Sequence, residues 1–258
     1  MIKRILLTSL IVLLSGGMLG SYFYFTSRLV AQGRRQARCR EVEVILLDSL
    51  QSNIVDKKEL HDLLARQSLG RPVDSIDLHQ LETQVGSMGE VVSAQVYTAN
   101  DRTLAVRITQ RKPVVRFEKG EAHWYADPEG YLFPVHNAVD VPVVTGQIPF
   151  QVENNYKGFA PEKDRKWTSG MVELARYIDG KLVFRSEITQ LDVAPNGDIV
   201  LYTREPGPSI IFGDSADYVT KFQKLEAWWR YIAPQMDANK HYKTINLKYN
   251  QQIICRQL

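Results

Sequence analysis

Ile5 to Phe25 form an uncharged, largely apolar run behind a Met-Ile-Lys-Arg start, and the chain beyond it carries the mixed patterning of a folded soluble part. At about 1.5 Å of rise per residue this run spans about 30 Å as a helix, the thickness of a bilayer's hydrocarbon layer. It predicts a cytoplasmic tail over residues 1–4, a single transmembrane helix over 5–25 and a juxtamembrane linker over 26–39. The rival reading is a cleaved signal peptide, with Lys3 and Arg4 as its charged start, Ile5 to Leu14 as its apolar core and Ser15-Gly16-Gly17 as the small-residue stretch. The anchor is preferred because apolarity resumes through Met18, Leu19, Tyr22, Phe23 and Phe25, with no A-x-A site in view. Arg28, Arg34, Arg35, Arg38 and Arg40 follow the run, so a plain positive-inside count would keep the C-terminal part in the cytoplasm. A short cationic tail is also how a signal-anchor begins, and the count alone does not decide.

Past residue 40 the period changes several times. Glu41 to Leu47 reads as a strand, and Asp56 followed by Glu59 reads as the capping box of a helix with Leu60, Leu63 and Leu64 on one face, ended by Gly70-Arg71-Pro72. A second helix opens near Asp77, carries Leu78, Leu81 and Val85 at spacings of three and four, and stops at Gly86. Alternation then takes over: Val92, Ala94 and Val96 form one face, Asn100-Asp101 a turn, and Leu104, Val106 and Ile108 the next face. The unit over 40–111 is β-α-α-β-β, two helices on one face of a three-stranded sheet.

From residue 112 to 258 strand signals dominate. Val114 to Phe117, His123 to Ala126 and Tyr131 to Phe133 read as strands, with Asp127-Pro128-Glu129-Gly130 as a turn. A helix is expected from Glu162 to Tyr177, then strands at Ile188 to Val193, Ile199 to Thr203 and Ile210 to Phe212. Tyr218, Phe222, Leu225, Trp229 and Ile232 step as a single apolar helical stripe that Pro234 terminates, a core face rather than a ligand box. The chain finishes with a strand over Thr244 to Tyr249, and a resumption at Ile253 to Cys255 after Asn250 is left open.

Composition changes this picture little: 44% hydrophobic, 24% charged and a net charge of +3 describe an ordinary globular chain. The balance excludes extended disorder, and no dense basic patch recurs after Arg40 to call for nucleic acid. Arginines 28–40 suit anionic headgroups beside the helix. Nothing in the sequence brings Cys39 and Cys255 together, which leaves a disulfide between them open. Enzymatic inventory is thin: His61, His79, His123, His136 and His241 are scattered, and G-x-S-x-G, G-x-x-x-x-G-K and C-x-x-C are missing. Asp127 and Glu129 read as a turn rather than an acid/base pair. No catalytic residue, cofactor, metal or small-molecule substrate is expected.

Element order and short motifs together resemble the FtsQ/DivIB family of bacterial division proteins over nearly the whole chain. The motifs are Thr103-Leu104, Gln110-Arg111-Lys112-Pro113, Asp127 to Gly130 with Tyr131-Leu132-Phe133 behind it, and Val141-Pro142-Val143-Val144-Thr145-Gly146. Ile211-Phe212-Gly213 and Ile245-Asn246-Leu247-Lys248-Tyr249 complete the set. Gln110, Asn246 and Lys248 depart from the family's usual Glu, Asp and Arg, and Asp101-Arg102 from a Pro-Asn pair, at positions that bear on partner contacts rather than fold. The resemblance implies an α+β protein: one membrane helix, a POTRA domain over 40–111, and a mostly antiparallel β domain with two helices over 112–258. It also implies a cytoplasmic N-terminus, a periplasmic C-terminal part at the septum of the inner membrane, and a non-enzymatic scaffold for FtsB (DivIC), FtsL and FtsK. Partner binding by strand addition would use the terminal margin, Thr244, Ile245, Asn246, Leu247, Lys248 and Tyr249, with Tyr249 and Trp228 as aromatic anchors. Two alternatives stay open, a POTRA-bearing component of a translocation or envelope-assembly system and a signal-cleaved periplasmic enzyme.

Overall fold

A computed structural model describes residues 15–28, 37–47, 54–100, 102–135, 138–205, 207–235, 242–250 and 252–257. Residues 5–14 of the expected membrane helix, the Asp101 turn position, His136 and His241 lie outside them. Residues 15–28 form a helix, α1, with Met18, Leu19, Tyr22, Phe23 and Phe25 exposed. Among the described residues no helix is long and apolar enough to cross a membrane. The described part of α1 would span only about 21 Å.

The chain divides into two compact units that part chiefly at residues 109 and 110, with Ile54 assigned to the second. In the first, β1 (Glu41–Leu46), α2 (Lys57–Ser68), α3 (Leu78–Gly86), β2 (Val91–Asn100) and β3 (Thr103–Gln110) follow in that order. Asp56 Oδ1 accepts from the backbone N–H groups of Lys58 and Glu59 at 2.9 and 3.0 Å, and Asp77 Oδ1 from Gln80 N–H at 2.9 Å. Each helix therefore starts where a carboxylate satisfies its free donors. β1 pairs in parallel with β3, from Glu41 opposite Thr103 to Leu46 opposite Ile108, and β3 lies between β1 and β2. Parallel neighbours need a crossover, which α2 and α3 supply. Leu60, Leu64, Leu81 and Val85 are buried, whereas Leu63 is only half-buried. On central β3 the expected face Leu104, Val106 and Ile108 is buried and Arg107 is exposed, while Ala105 on the other face is buried as well; Val92 on the margin strand β2 is exposed, against the expected inward face.

The second unit holds a ten-stranded sheet. Its strands are β4 (Val115–Lys119), β5 (Ala122–Ala126), β6 (Tyr131–Phe133), β7 (Val143–Gly146), β8 (Gly158–Phe159), β9 (Ile188–Val193), β10 (Ile199–Thr203), β11 (Ser209–Gly213), β12 (Tyr242–Asn246) and β13 (Ile254–Gln257), in the spatial order 13-12-11-10-9-7-4-5-6-8. Three helices accompany them: α4 (Glu162–Asp179), α5 (Leu182–Glu187) and α6 (Tyr218–Ala227). Most pairings are antiparallel. β4 with β7, β7 with β9 and β11 with β12 are parallel; the crossover from β7 to β9 runs through α4 with α5, and that from β11 to β12 through α6. Phe222 of α6 is the hub of an aromatic cluster, its ring centroid 4.7 Å from Phe184, 4.9 Å from Tyr177 and 4.9 Å from Phe212.

The α6 stripe departs from its sequence reading. After Ala227 the backbone widens into a π-helical segment, Trp228–Ile232. Its i→i+5 bonding rotates the following side chains out of the 3.6-residue phase. Phe222, Leu225 and Trp228 are buried, Trp229 is half-buried against Phe184, and Ile232 is 45% exposed.

Candidate partner-binding site

The motifs in the first half of the second unit are structural. Asp127 Oδ1 accepts from the N–H groups of Glu129 and Tyr131, and Oδ2 from Arg111 Nη1 at 2.6 Å. The Arg111 guanidinium also lies over the Tyr131 ring, 3.7 Å from its centroid. Two segments remote in sequence, Gln110 to Pro113 and Asp127 to Tyr131, are thus halves of one buried polar joint, and the Asp127 carboxylate is committed to it. Thr145 Oγ1 donates to Asp192 Oδ1 at 2.6 Å, tying β7 to β9, and Gly146 turns the chain at a φ of +81° where a Cβ would collide with the Val193 carbonyl oxygen.

Among the described residues no group of three or more His, Cys, Asp or Glu side chains could hold a metal ion. A cavity of about 160 Å³ is walled by Val141, Pro142, Ile178 and Ile188; of its four charged members, Asp140, Asp179, Arg185 and Arg204, Asp179 and Arg185 face each other at 3.4 Å.

At the other end of the sheet the terminal strand is one hairpin further along than expected. β12 stops at Asn246, whose Oδ1 accepts from Lys248 N–H at 3.0 Å and turns the chain. One side of β12 pairs with β11, Ile210 opposite Ile245, and its other side with β13, Thr244 opposite Arg256 and Ile245 opposite Cys255. The expected free margin is therefore covered by the protein's own β13 from Thr244 to Asn246, and Leu247 to Tyr249 lie beyond the end of β12. After Asn250 the chain folds back into β13, Ile254–Gln257, at one margin of the sheet; among the described residues its outer side pairs with nothing.

Each residue of the expected site has a place in this end of the sheet. Ile245 and Leu247 are buried, and Leu247 N–H donates to Ile211 carbonyl at 2.9 Å. Thr244 and Asn246 are half-buried within the ladder. Lys248 binds Asp198 Oδ2 at 2.7 Å and runs its stem over Gly213, where a Cβ would come within 2.9 Å of Lys248 Cγ. The Asp198 hydrogen bond holds the Lys248 pKa above its ordinary 10.5. Tyr249 is exposed. Trp228 is 5% exposed, so it is a floor beneath the hairpin and not a surface anchor, because the π segment turns it inward. Its ring meets Tyr242 edge-on at 6.4 Å. Its indole N–H meets no conventional acceptor among the described residues and faces the Cys255 sulfur, a weak one. Burial pushes the Cys255 thiol above its ordinary pKa of 9.0, with the indole N–H opposing. Cys39 and Cys255 are both free.

Two lysines of α6 tie this end together. Lys221 is buried and donates to the Asp214 carboxylate at 2.7 Å and the Asp214 carbonyl at 3.0 Å. Lys224 Nζ donates to the carbonyl oxygens of Leu247 at 2.9 Å and Tyr249 at 2.6 Å. Burial, followed by the neighbouring Lys221 charge, pulls the Lys224 pKa down. Sequence reasoning missed Lys224 and the β13 residues as site elements. The turn residue Asn250 before Ile253-Ile254-Cys255 was a signal for a closing hairpin; for Lys224 there was none.

The sequence profile of the FtsQ/DivIB, C-terminal related family matches residues 112–256. The POTRA-like domain profile matches residues 37–109, the β-α-α-β-β unit. Among curated proteins none matches the chain. One family profile thus covers more than half of the molecule, including β12 and most of β13, and a POTRA-like domain precedes it, so this chain belongs to the FtsQ/DivIB family.

Proposed function

We propose that the protein is a membrane-tethered, non-enzymatic scaffold of cell division that takes a strand of an FtsB/DivIC-like partner onto β13, with an FtsL-like protein in the same assembly and FtsK among its neighbours. In this reading residues 5–25 anchor it in the inner membrane with the N-terminus in the cytoplasm, and the folded units act outside the membrane at the septum. The observation that carries it is the one-sided pairing of β13 at the end of a ten-stranded sheet. Such a margin presents backbone N–H and C=O groups to a partner strand. Exposed aromatic side chains at the C-terminal end of α1, from Tyr22 to Phe25, support the anchor.

Three or four added backbone hydrogen bonds, at about 0.5–1.5 kcal/mol each, do not cover an association cost of about 4–15 kcal/mol. Side-chain anchors must contribute, and Tyr249 and Ile254, both close to half exposed, are the residues at this end available for burial. In an antiparallel pair successive residues direct their N–H groups alternately inward and outward, so of Cys255 and Arg256 one faces β12 and the other the partner. The test is co-purification of the full chain with the extracytoplasmic segment of the FtsB-like partner, using Cys255→Pro and Arg256→Pro. At least one should lose the partner while retaining the fold; capture by both at the wild-type level would sink the reading.

A further inference from the structure

β13 has four residues, three of them exposed, and among the described residues a partner strand on one side only. A margin strand this short frays readily, since an isolated hairpin is marginal in water. The turn before it is held from beneath by Lys224, which grips two carbonyls two residues apart, Leu247 at 2.9 Å and Tyr249 at 2.6 Å. Bonds from an ammonium are stronger than neutral ones. Lys224 also projects from a helix whose Phe222 and Leu225 are fully buried, so the turn is referenced to the rigid core of the unit.

We propose that Lys224 is a positioning residue for the partner-binding margin: by setting the turn between β12 and β13 it presents β13 already ordered to an incoming strand. The inference rests on the reading that β13 receives that strand. Order established in the free protein need not be created on association, and the gain is in affinity and residence time.

The test uses the full chain as wild type, Lys224→Met, Lys224→Arg, Cys255→Pro and Arg256→Pro, with binding of the FtsB-like partner's extracytoplasmic segment followed in real time and amide exchange followed in the free protein. Lys224→Met should raise the dissociation rate about tenfold, equivalent to ~1.4 kcal/mol. It should speed exchange at Cys255 to Gln257 while leaving β9 and β10 at their wild-type rates. Lys224→Arg, which keeps cationic donors in place, should restore most of the binding. A wild-type dissociation rate for Lys224→Met beside loss of binding in a β13 proline variant would overturn the clamp and leave the margin standing. Acceleration spread evenly over β9, β10 and β13 would overturn it too. Wild-type binding by both proline variants would remove the margin reading and the clamp with it.

Discussion

Gly146 and Gly197 share a left-handed backbone, at φ of +81° and +84°, but not a neighbourhood. A Cβ at Gly146 meets the backbone of Val193, whereas nothing lies within 4 Å of one at Gly197. Gly197→Ala should cost only the left-handed strain, about 1–2 kcal/mol. Gly146→Ala adds a backbone collision between β7 and β9 and should cost about 2–4 kcal/mol, both read from denaturant midpoints. Asp214 offers a second residue-level test. The hydrogen bond from Lys221, foremost, holds its carboxyl below the ordinary 3.8. A depressed carboxyl pKa contributes stability that is fully present above 3.8 and is lost as pH falls through the folded-state value. Melting temperature measured downward from pH 5 should therefore fall more steeply for wild type than for Asp214→Asn, which is already weaker at neutral pH because buried Lys221 loses its carboxylate. Caps were legible in the sequence because Asp56 and Asp77 act within three residues of themselves. The Arg111 partner of Asp127 and the partners of Lys221 and Lys248 lie across the fold or are chosen by it, and no local spacing announces them.

At the scale of elements, strong periodicity located most strands and helices, since a period of 2 or 3.6 reflects a local backbone geometry. β9 and β10 run as read, from Ile188 to Val193 and from Ile199 to Thr203. β8 and α5, short pieces of two and six residues, carry too few turns of either period to stand out. The end of α6 shows the opposite failure, a continuous stripe broken in phase by a π segment. The terminal strand failed for a topological reason: which strand is last depends on a turn at Asn246 and a return through β13. A pair of proline variants separates the two placements. Leu247→Pro removes the N–H bound to the Ile211 carbonyl and disturbs a fully buried side chain. It should lower stability by about 3 kcal/mol or more whether or not partner is present. The β13 prolines should act on partner capture with a much smaller change in melting temperature, because an exposed margin strand contributes little to the core.

For the whole molecule, the family places the chain among division proteins, and the proposed margin makes its closing hairpin the part the cell would miss first. Depletion should give filamentous cells, and a chain ending at Asn250, lacking β13, should fail to restore normal cell length where the full chain succeeds. Normal lengths with the shortened chain would separate division function from this margin. The sequence by itself determined the β-α-α-β-β unit, the predominance of strands after it, and the family, because these rest on periodicity, caps and turn residues that act over a few positions. Only the tertiary structure decided which margin is open, which tryptophan is interior, and which lysine holds the final turn. Strand order, helix phase and long-range hydrogen bonds are settled by packing between segments that can lie tens of residues apart.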